Sequence, residues 1–269
     1  MIVLNREPLS ADARQMDGAL RQQLNDVSAA CQMLQRRCES ERDMEYLEVI
    51  HRAVLRSVRI LQNRELARRL EDEDELRAVY GTVELVDWCR TLTGEAAELL
   101  ETMELTLAFR TELTALITLA DEELLSQMVL ELLSNAAKHT PAGGRLSVSL
   151  LKRVDSAVIT VGDEGDGLGE EALARLYSGQ AESLDLTPEA GAGLGLRLAR
   201  TIAEIHGGLM MVDTAPGGGV RVAVSIPLRE EHRERMKSPS DLSGGYERAL
   251  VALSDVLPAR AFRMGKRAL

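Results

Sequence analysis

The sequence is poor in aromatic residues and in cysteine. Its 269 residues include one Trp, two Phe and three Cys, so a core must be built from Leu, Val, Ile, Ala and Met. The cysteines, Cys31, Cys38 and Cys89, lack C-x-x-C spacing, which indicates a reducing compartment and no disulfide framework. Cys31 and Cys38 are seven positions apart on a helical pattern, and we expect both to pack in a core.

Long apolar runs are also missing. None approaches the ~18–20 residues that cross a bilayer, and the amino-terminal segment MIVLNREPLSADARQ has no apolar region typical of a signal peptide. The net charge of -11 argues against nonspecific binding to nucleic acid or to an anionic membrane surface. We therefore expect a cytoplasmic protein without direct membrane insertion, which receives any membrane signal through a partner.

Residues 1–75 predict a helical hairpin. Apolar residues recur at steps of four and three over residues 20–34 and keep a similar stripe over residues 47–61, as in a coiled-coil seam. The polar segment 39–43 predicts the connecting turn, and the acidic run 71–75 predicts the end of the hairpin. Because two helices cannot bury both stripes alone, we expect a homodimer that forms a four-helix bundle. Folding of the hairpin against the rest of its own chain is the alternative.

The remaining residues predict an α+β domain at 85–229, with a linker at 76–84 and a tail at 230–269. The patterns predict strands at 102–111, 145–151, 157–161 and 219–227, and helices at 121–139 and 194–205. This mixed order indicates a two-layer α/β sandwich. In the tail, residues 246–257 predict a short amphipathic helix that packs back on the body, with docking to a partner as the alternative.

The segment ELLSNAAKHT lies on the predicted helix 121–139. Glu131, Asn135 and Lys138 are spaced by four and three, so one helical face presents all three. A carboxylate, an amide oxygen and an ammonium group together suit a hydrated magnesium ion with nucleotide phosphates. Taken alone, the same spacing also fits an exposed polar stripe on a surface helix.

A glycine-rich segment, DEGDGLG, follows the predicted strand 157–161. Asp163 stands at the strand end, where its carboxylate can accept a hydrogen bond from an adenine amino group. Gly165 and Gly167 allow a tight turn and a close approach of backbone to a flat ligand. A plain hairpin turn is the alternative for this segment.

A second glycine-rich segment, GAGLGL, leads into the predicted helix 194–205. Gly191, Gly193 and Gly195, with Leu196 behind them, place backbone N–H groups at a helix amino terminus, which is a phosphate cradle. A lone G-x-G-x-G pattern is weak by itself, and a dinucleotide-binding fingerprint would need a βαβ unit around it.

The order of these three segments resembles the ATPase domain of bacterial histidine kinases, which is shared with gyrase, the Hsp90 chaperones and MutL. ELLSNAAKHT looks like the N box, DEGDGLG the G1 box and GAGLGL the G2 box. AEIHGG and GGGVRVAVSIPL are similar to the histidine-kinase branch. The resemblance covers residues 83–229 and implies a Bergerat-type fold that binds ATP and Mg²⁺.

The resemblance also implies roles for single residues. Glu131 would orient or deprotonate a water near the metal or polarise the reacting site, Asn135 would ligate magnesium and Lys138 would contact phosphate. Asp163 would read the adenine amino group, with the G1 glycines shaping the pocket. The G2 glycines would form a lid hinge and the phosphate-binding turn, and residues 168–190 the mobile lid.

The family's phosphate-accepting histidine has no counterpart on the first predicted helix. In the best-matching segment, GALRQQL, Gly18 occupies the acceptor position, so the usual phosphoramidate cannot form there. His51 on the second helix is the one histidine of the hairpin, and we expect it to be a surface residue rather than an acceptor. We expect His139 to lie at the pocket edge. LARLY occupies the place of the Phe-rich F box in the lid.

Together these features favour a cytoplasmic histidine-kinase-family protein that binds Mg-ATP for phosphotransfer in two-component signalling. Its expected partners are a second copy of the chain and a response regulator or another signalling protein, with no nucleic acid. The missing acceptor leaves a degenerate pseudokinase or an ATP-dependent, anti-sigma-like binding module as the alternative. A structural dimerisation protein with a relic nucleotide site is a third hypothesis.

Overall fold

A computed structural model describes residues 11–71, 78–165, 167, 191–214, 218–229 and 246–263 of the chain. The chain divides into two compact units. The first consists of Met1–Leu66 and Ala259–Leu269, and the second is Ala67–Pro258. The first unit contains the predicted amino-terminal helical hairpin, and the second has the predicted α+β composition. Within the described part of the chain, no helix combines the length and the apolarity needed to cross a bilayer.

The first unit is a hairpin of α1 (Ala11–Gln35) and α2 (Glu41–Glu71), onto which a 3-10 turn, Ala259–Phe262, returns from the far end of the chain. Ser40 accepts a hydrogen bond from the backbone N–H of Asp43 at 3.3 Å, as an amino-terminal capping residue does. The helix therefore begins inside the segment 39–43 that was predicted as the connecting turn.

The hairpin buries one apolar stripe and leaves another open. Cys31, Val54 and Leu55 are at most 6% exposed. In contrast, Leu20 and Leu34 of the predicted seam are 45% and 56% exposed. The apolar surface that motivated the predicted homodimer is thus open in the single chain, and the homodimer stays a prediction.

The cysteines are free thiols placed differently from one another. Cys31 is buried, whereas Cys38 is half-buried and its Sγ donates to the Ser40 carbonyl at 3.3 Å, so core packing holds for Cys31 and not for Cys38. Cys89 lies in the second unit, where burial, with a smaller contribution from the charge of Glu84, raises the pKa of the thiol to about 12.

His51 is not the surface residue that the sequence predicted. It is 3% exposed, with Nδ1 at 3.2 Å from the Phe262 carbonyl oxygen and Nε2 at 3.3 Å from the hydroxyl of Ser28. Burial lowers the pKa of this imidazole, although the backbone hydrogen bond opposes the shift. The prediction failed because the covering residue, Phe262, follows His51 by 211 positions and no local pattern connects the two.

The second unit contains a five-stranded sheet in the order β2-β4-β5-β7-β6 and a separate antiparallel pair, β1 and β3. The strands are β1 (Gly81–Glu84), β2 (Thr106–Arg110), β3 (Ile117–Ala120), β4 (Arg145–Lys152), β5 (Ser156–Asp163), β6 (Leu209–Thr214) and β7 (Val220–Pro227). In the five-stranded sheet β2 runs parallel to β4, and the other neighbours are antiparallel.

In the described part of the second unit, four helices accompany the strands. They are α3 (Leu85–Leu100), α4 (Glu122–His139), α5 (Gly191–Ile205) and α6 (Arg248–Ala252). Val148 and Leu150 of β4 face Val161 and Ile159 of β5 across the ladder, and all four side chains are buried. Because strand side chains alternate between faces, this apolar set forms one face of the sheet, against which α4 packs. The arrangement confirms the predicted α+β class.

Several boundaries differ from the predicted ones. The predicted linker 76–84 contains β1, which pairs with β3 so that Gly81 lies opposite Ala120, 39 positions later in the chain. The strand predicted at 102–111 begins only at Thr106, because Glu104 adopts a left-handed conformation with φ 62° after a 3-10 turn, Glu101–Met103. The patterns did not predict β1, α3, β3 or β6.

The tail returns to the body of the second unit through α6. Ala249, Val251 and Ala252 are buried, and α6 contacts α3 and α4. Arg248 forms an ion pair with Glu123 of α4. The tail helix therefore packs as predicted, but it spans five residues rather than the whole segment 246–257.

Candidate nucleotide-binding site

Helix α4 carries the polar face predicted from ELLSNAAKHT. The carboxylate of Asp121 caps the helix by accepting from the Leu124 N–H at 3.1 Å. Glu131 is only 2% exposed, and its Oε1 accepts from Nε2 of Gln127 at 3.0 Å. Asn135 is half-buried and Lys138 is exposed. The face thus runs from a buried, hydrogen-bonded carboxylate to an ammonium group in solvent.

Gly195 brings α5 onto this face of α4. A Cβ atom added at Gly195 would lie 3.1 Å from Oε2 of Glu131 and 3.7 Å from its Cβ. The first spacing is tighter than most side-chain contacts and the second is an ordinary one, so the absence of a side chain at residue 195 permits the close approach to the Glu131 carboxylate. The following residue, Leu196, is 5% exposed. The second glycine segment therefore lies directly against the predicted catalytic carboxylate.

Asp163, the last residue of β5, organises the first glycine turn. Its Oδ1 accepts from the backbone N–H groups of Gly165 at 2.9 Å and Val220 at 3.2 Å. A Cβ at Gly165 would lie 2.3 Å from the carbonyl oxygen of His139, so this turn lies against the carboxyl-terminal end of α4. Gly167 has φ +81°, a conformation that favours glycine.

A third glycine turn, which the sequence analysis missed, closes over the same carboxylate. Gly218 and Gly219 have φ values of +102° and +84°, and a Cβ at Gly219 would lie only 2.0 Å from the Asp163 carbonyl oxygen. The run GGG before the final strand was the available signal for this turn. Gln127 was also missed, although it stands four residues before Glu131 on the same helix.

The predicted site residues are therefore brought together in part. Glu131, Asp163, Gly165 and Gly195 converge around α4. Gly191 and the rest of the segment up to Gly195 lie in the first turns of α5, which begins at Gly191 rather than at residue 194. Glycine tolerates helical dihedral angles, so the expected turn continues as helix. The predicted lid, residues 168–190, lies outside the described residues.

His206 ties the two helices of the site together at their far ends. Its Nε2 accepts from the backbone N–H of Asp121 at 3.0 Å, and its Nδ1 donates to the Ile202 carbonyl of α5 at 2.8 Å. Burial lowers the pKa of His206, with a smaller contribution in the same direction from the charge of Arg229. Tyr80 lies edge-on to the imidazole, with ring centroids 5.7 Å apart. A neutral imidazole thus joins the start of α4 to the end of α5.

The donor chemistry of the site fits the predicted cofactors. Glu131 and Asn135 offer hard oxygen atoms, which Mg²⁺ prefers. Among the described residues no group of three or more His, Cys, Asp or Glu is placed to hold a metal ion. Magnesium that binds with nucleotide needs only one or two protein oxygens, because phosphate and water supply the remaining ligands. His139 is exposed and touches the first glycine turn through its carbonyl.

Comparisons with known proteins agree with this geometry. Residues 120–230 match the family described as histidine kinase-, DNA gyrase B-, and HSP90-like ATPase. The adaptive-response sensory kinase SasA of Rippkaea orientalis is 30% identical over 217 residues, which cover 78% of this chain and 55% of that protein. The histidine protein kinase DivJ of Caulobacter vibrioides is 39% identical over 110 residues, covering 40% of this chain and 18% of that protein.

The fold also recurs in a solved structure. Full-length ShkA in complex with AMPPNP superposes with a TM-score of 0.64 at 20% sequence identity, over 81% of this chain and 46% of that one. At this identity the likeness shows the shared fold alone. This chain spans about half the length of the SasA proteins that it matches, at 55% and 56%.

Fold and site together define a protein with an ATPase domain of the sensor histidine kinase type. Residues 120–230 belong to the histidine kinase-, DNA gyrase B- and HSP90-like ATPase family. The SasA likeness covers 78% of this chain and so extends beyond this domain.

Proposed function

We propose that this chain is a cytoplasmic protein that binds Mg-ATP between α4, the Asp163 turn and α5, and that it takes part in phosphotransfer in two-component signalling. The observation that carries the proposal is the placement of both predicted glycine segments on one helix: Gly165 lies against its carboxyl-terminal end and Gly195 against Glu131. Relatives that are named sensory kinases, and a fold neighbour that binds AMPPNP, support the same conclusion.

Asp163 is the residue that we assign to adenine recognition. Its Oδ1 accepts hydrogen bonds from the backbone N–H groups of Gly165 and Val220. These bonds fix the orientation of the side chain, and Oδ2 would then accept a hydrogen bond from an adenine amino group. The missing side chains at Gly165 and Gly219 let the two turns pack against the carbonyl oxygens of His139 and Asp163, so that both turns would line the base pocket beside Asp163.

The phosphate end of the site lies along α4. Asn135 would ligate Mg²⁺ with its amide oxygen, and Glu131 would act through a bound water whose position the Gln127 hydrogen bond helps to define. Lys138 is exposed and would contact phosphate as a point charge. Magnesium, when bound, neutralises the charge of the phosphate oxygens. Catalysis by such a site rests on positioning and charge neutralisation rather than on covalent chemistry of the protein.

The hairpin would form the dimer interface and the contact surface for a response regulator. Its open apolar surface includes Leu20, Val27 and Leu34, each more than 40% exposed. Complete burial of such a side chain contributes about 1.5–3 kcal/mol. Because these three are about half exposed, roughly half of that remains to be gained at each, which favours association with a second copy through this stripe.

A binding module without kinase turnover is the second candidate, and the surroundings of His51 favour it. This histidine is 3% exposed, and Gly18 stands where the family carries its acceptor. In this form of the proposal, ATP would hold a conformation in which the dimer docks a partner.

The test combines calorimetry with labelling by gamma-labelled ATP in the presence of magnesium. Hydrogen bonds to charged groups contribute about 1.5–3 kcal/mol, so Asp163→Asn should weaken nucleotide binding roughly 10- to 150-fold. Asp213→Asn, an exposed carboxylate on β6, is the matched control and should bind normally. Failure of the unaltered chain to bind nucleotide at millimolar concentration would refute the proposal.

The same assay separates the two candidates. An acid-labile label on the chain or on a response regulator identifies a kinase. Nucleotide binding without any label identifies the binding module. In the second case Gly18→His should create a labelled protein if the acceptor is the only part that is missing.

A further inference from the structure

The carboxyl-terminal 3-10 turn is part of the hairpin core. Phe262 is 1% exposed and is among the largest fully buried side chains of the described residues. Its carbonyl oxygen lies 3.2 Å from Nε2 of Gln35 on α1 and 3.2 Å from Nδ1 of His51 on α2. One carbonyl group from the end of the chain therefore accepts hydrogen bonds from both helices and bridges them.

Arg263 fastens the same segment by charge. Its guanidinium forms ion pairs with Glu48 and with Glu41, the latter at 2.6 Å. The side chain of Glu48 is 4% exposed, and a buried carboxylate is costly unless it is paired. Arg263 thus neutralises an acidic group of α2 that would otherwise be buried without a cation beside it among the contacts described.

These contacts determine which nitrogen of the His51 imidazole carries the proton. A carbonyl oxygen can only accept, so the proton of the neutral imidazole sits on Nδ1 and is donated to Phe262. Nε2 then carries the lone pair and accepts from the hydroxyl of Ser28 at 3.3 Å. The Phe262 ring lies edge-on to the imidazole with centroids 6.2 Å apart. Both nitrogen atoms are occupied, and the ring is withheld from solvent.

We propose that residues 259–263 form a releasable clasp on the hairpin, which holds Nδ1 of His51 and keeps the imidazole from solvent while it is docked. The clasp is one short 3-10 turn, and such turns have little stability of their own. It is held mainly by Phe262 and Arg263. Local opening of this short turn costs less than unfolding of the long helices beneath it, so release exposes His51 and the covered face of an intact hairpin. The inference concerns the first unit and stands whether or not the second unit binds nucleotide.

Carbethoxylation with diethyl pyrocarbonate, mapped by mass spectrometry, tests the clasp in the full chain. His139 is exposed and His206 is 1% exposed, so they serve as fast and slow internal references. In the unaltered protein His51 should react much more slowly than His139. In Arg263→Gln and Phe262→Ala the His51 rate should rise roughly tenfold or more, as expected from the loss of a charge-assisted hydrogen bond or a buried ring.

Controls separate release from unfolding. Arg90→Gln removes an exposed arginine of the second unit, paired with Asp87, and should leave the His51 rate unchanged. Phe262→Leu should keep most of the protection. His206 should stay slow in every variant, and the helical circular dichroism should be retained. If Phe262→Ala loses helix, the milder Arg263→Gln decides. Fast modification of His51 in the unaltered chain, or a rate in Arg263→Gln within twofold of it, would overturn the proposal.

Discussion

The second unit and the hairpin differ in how much of their apolar surface they bury. In the second unit, sheet residues such as Val148 and Ile159 are fully buried, and the tail helix α6 adds a further layer over α3 and α4. The hairpin covers only one face, with its clasp, and leaves the other open. Its exposed large apolar side chains are Met16, Leu20, Val27, Met33, Leu34, Tyr46, Val49, Ile50 and Ile60. Among the described residues the second unit exposes fewer large apolar side chains, namely Ile117, Leu151, Val154, Leu209 and Met211, so the first unit is the more open of the two.

The two units also differ in how they use a buried imidazole. His206 joins α4 to α5 through Asp121 and Ile202, and its partners belong to the helices that carry the predicted nucleotide site. His51 joins α2 to the end of the chain. A buried, neutral histidine thus connects the two helices of the candidate site in the second unit, and it holds the proposed clasp in the first.

Gly219→Ala should give the largest change in stability, because it strains the glycine turn that contacts Asp163 in the second unit. The new Cβ would lie 2.0 Å from the Asp163 carbonyl, at a residue with φ +84°. Strain and overpacking together should lower the free energy of unfolding by roughly 2–5 kcal/mol, measured by denaturant titration. Gly81→Ala meets nothing within 4 Å and is the control. Equal stability of the two variants would show that the glycine turn is not needed.

Leu34→Glu should test the open face of the hairpin. Leu34 is 56% exposed, so the substitution should barely change the fold of one chain. In a symmetric dimer the new charge would be buried twice, and the dimer should weaken at least roughly tenfold, measured by sedimentation. Val154→Glu, at a residue 90% exposed in the second unit, should leave association unchanged. A monomeric unaltered chain would contradict the dimer altogether.

Local patterns predicted the two helices of the hairpin and, in the second unit, α4, β4 and β5, for physical reasons. The Asp121 cap and the alternation of β4 and β5 involve neighbouring residues, so α4 and both strands were placed within two residues of their ends. Strand β1 was missed because four residues carry little pattern and its partner is distant in sequence. In the site, Asp163 and Gly195 were found through their motifs, whereas the closing contact of Gly219 depends on tertiary structure. The burial of His51 by Phe262 depends on it entirely.

The pH dependence of stability should reflect both imidazoles. Burial lowers the pKa of His51 and of His206 below 6.5, so the unfolded chain binds more protons than the folded one once the pH falls below about 6.5. Their contribution is complete above that pH and is lost as the pH falls further towards the folded pKa values. Denaturant titrations between pH 7.5 and 5.5 should show this decline, and it should be shallower in His206→Gln and in His51→Gln. An unchanged slope in both variants would assign the decline to other groups.

The smallest effect should come from one helical glycine in each unit. Gly94 of α3 and Gly18 of α1 are exposed, and an added Cβ meets nothing within 4 Å at either position. Gly→Ala in a helix interior contributes about 0.5–1 kcal/mol through reduced backbone freedom. In the second unit, Gly94→Ala should raise the free energy of unfolding by that amount at any protein concentration. If the hairpin is stable only as a dimer, its unfolding midpoint depends on protein concentration, and the stabilisation by Gly18→Ala should appear in that concentration-dependent unfolding. If both gains are independent of concentration, the hairpin is as complete in one chain as the ATP-binding unit is.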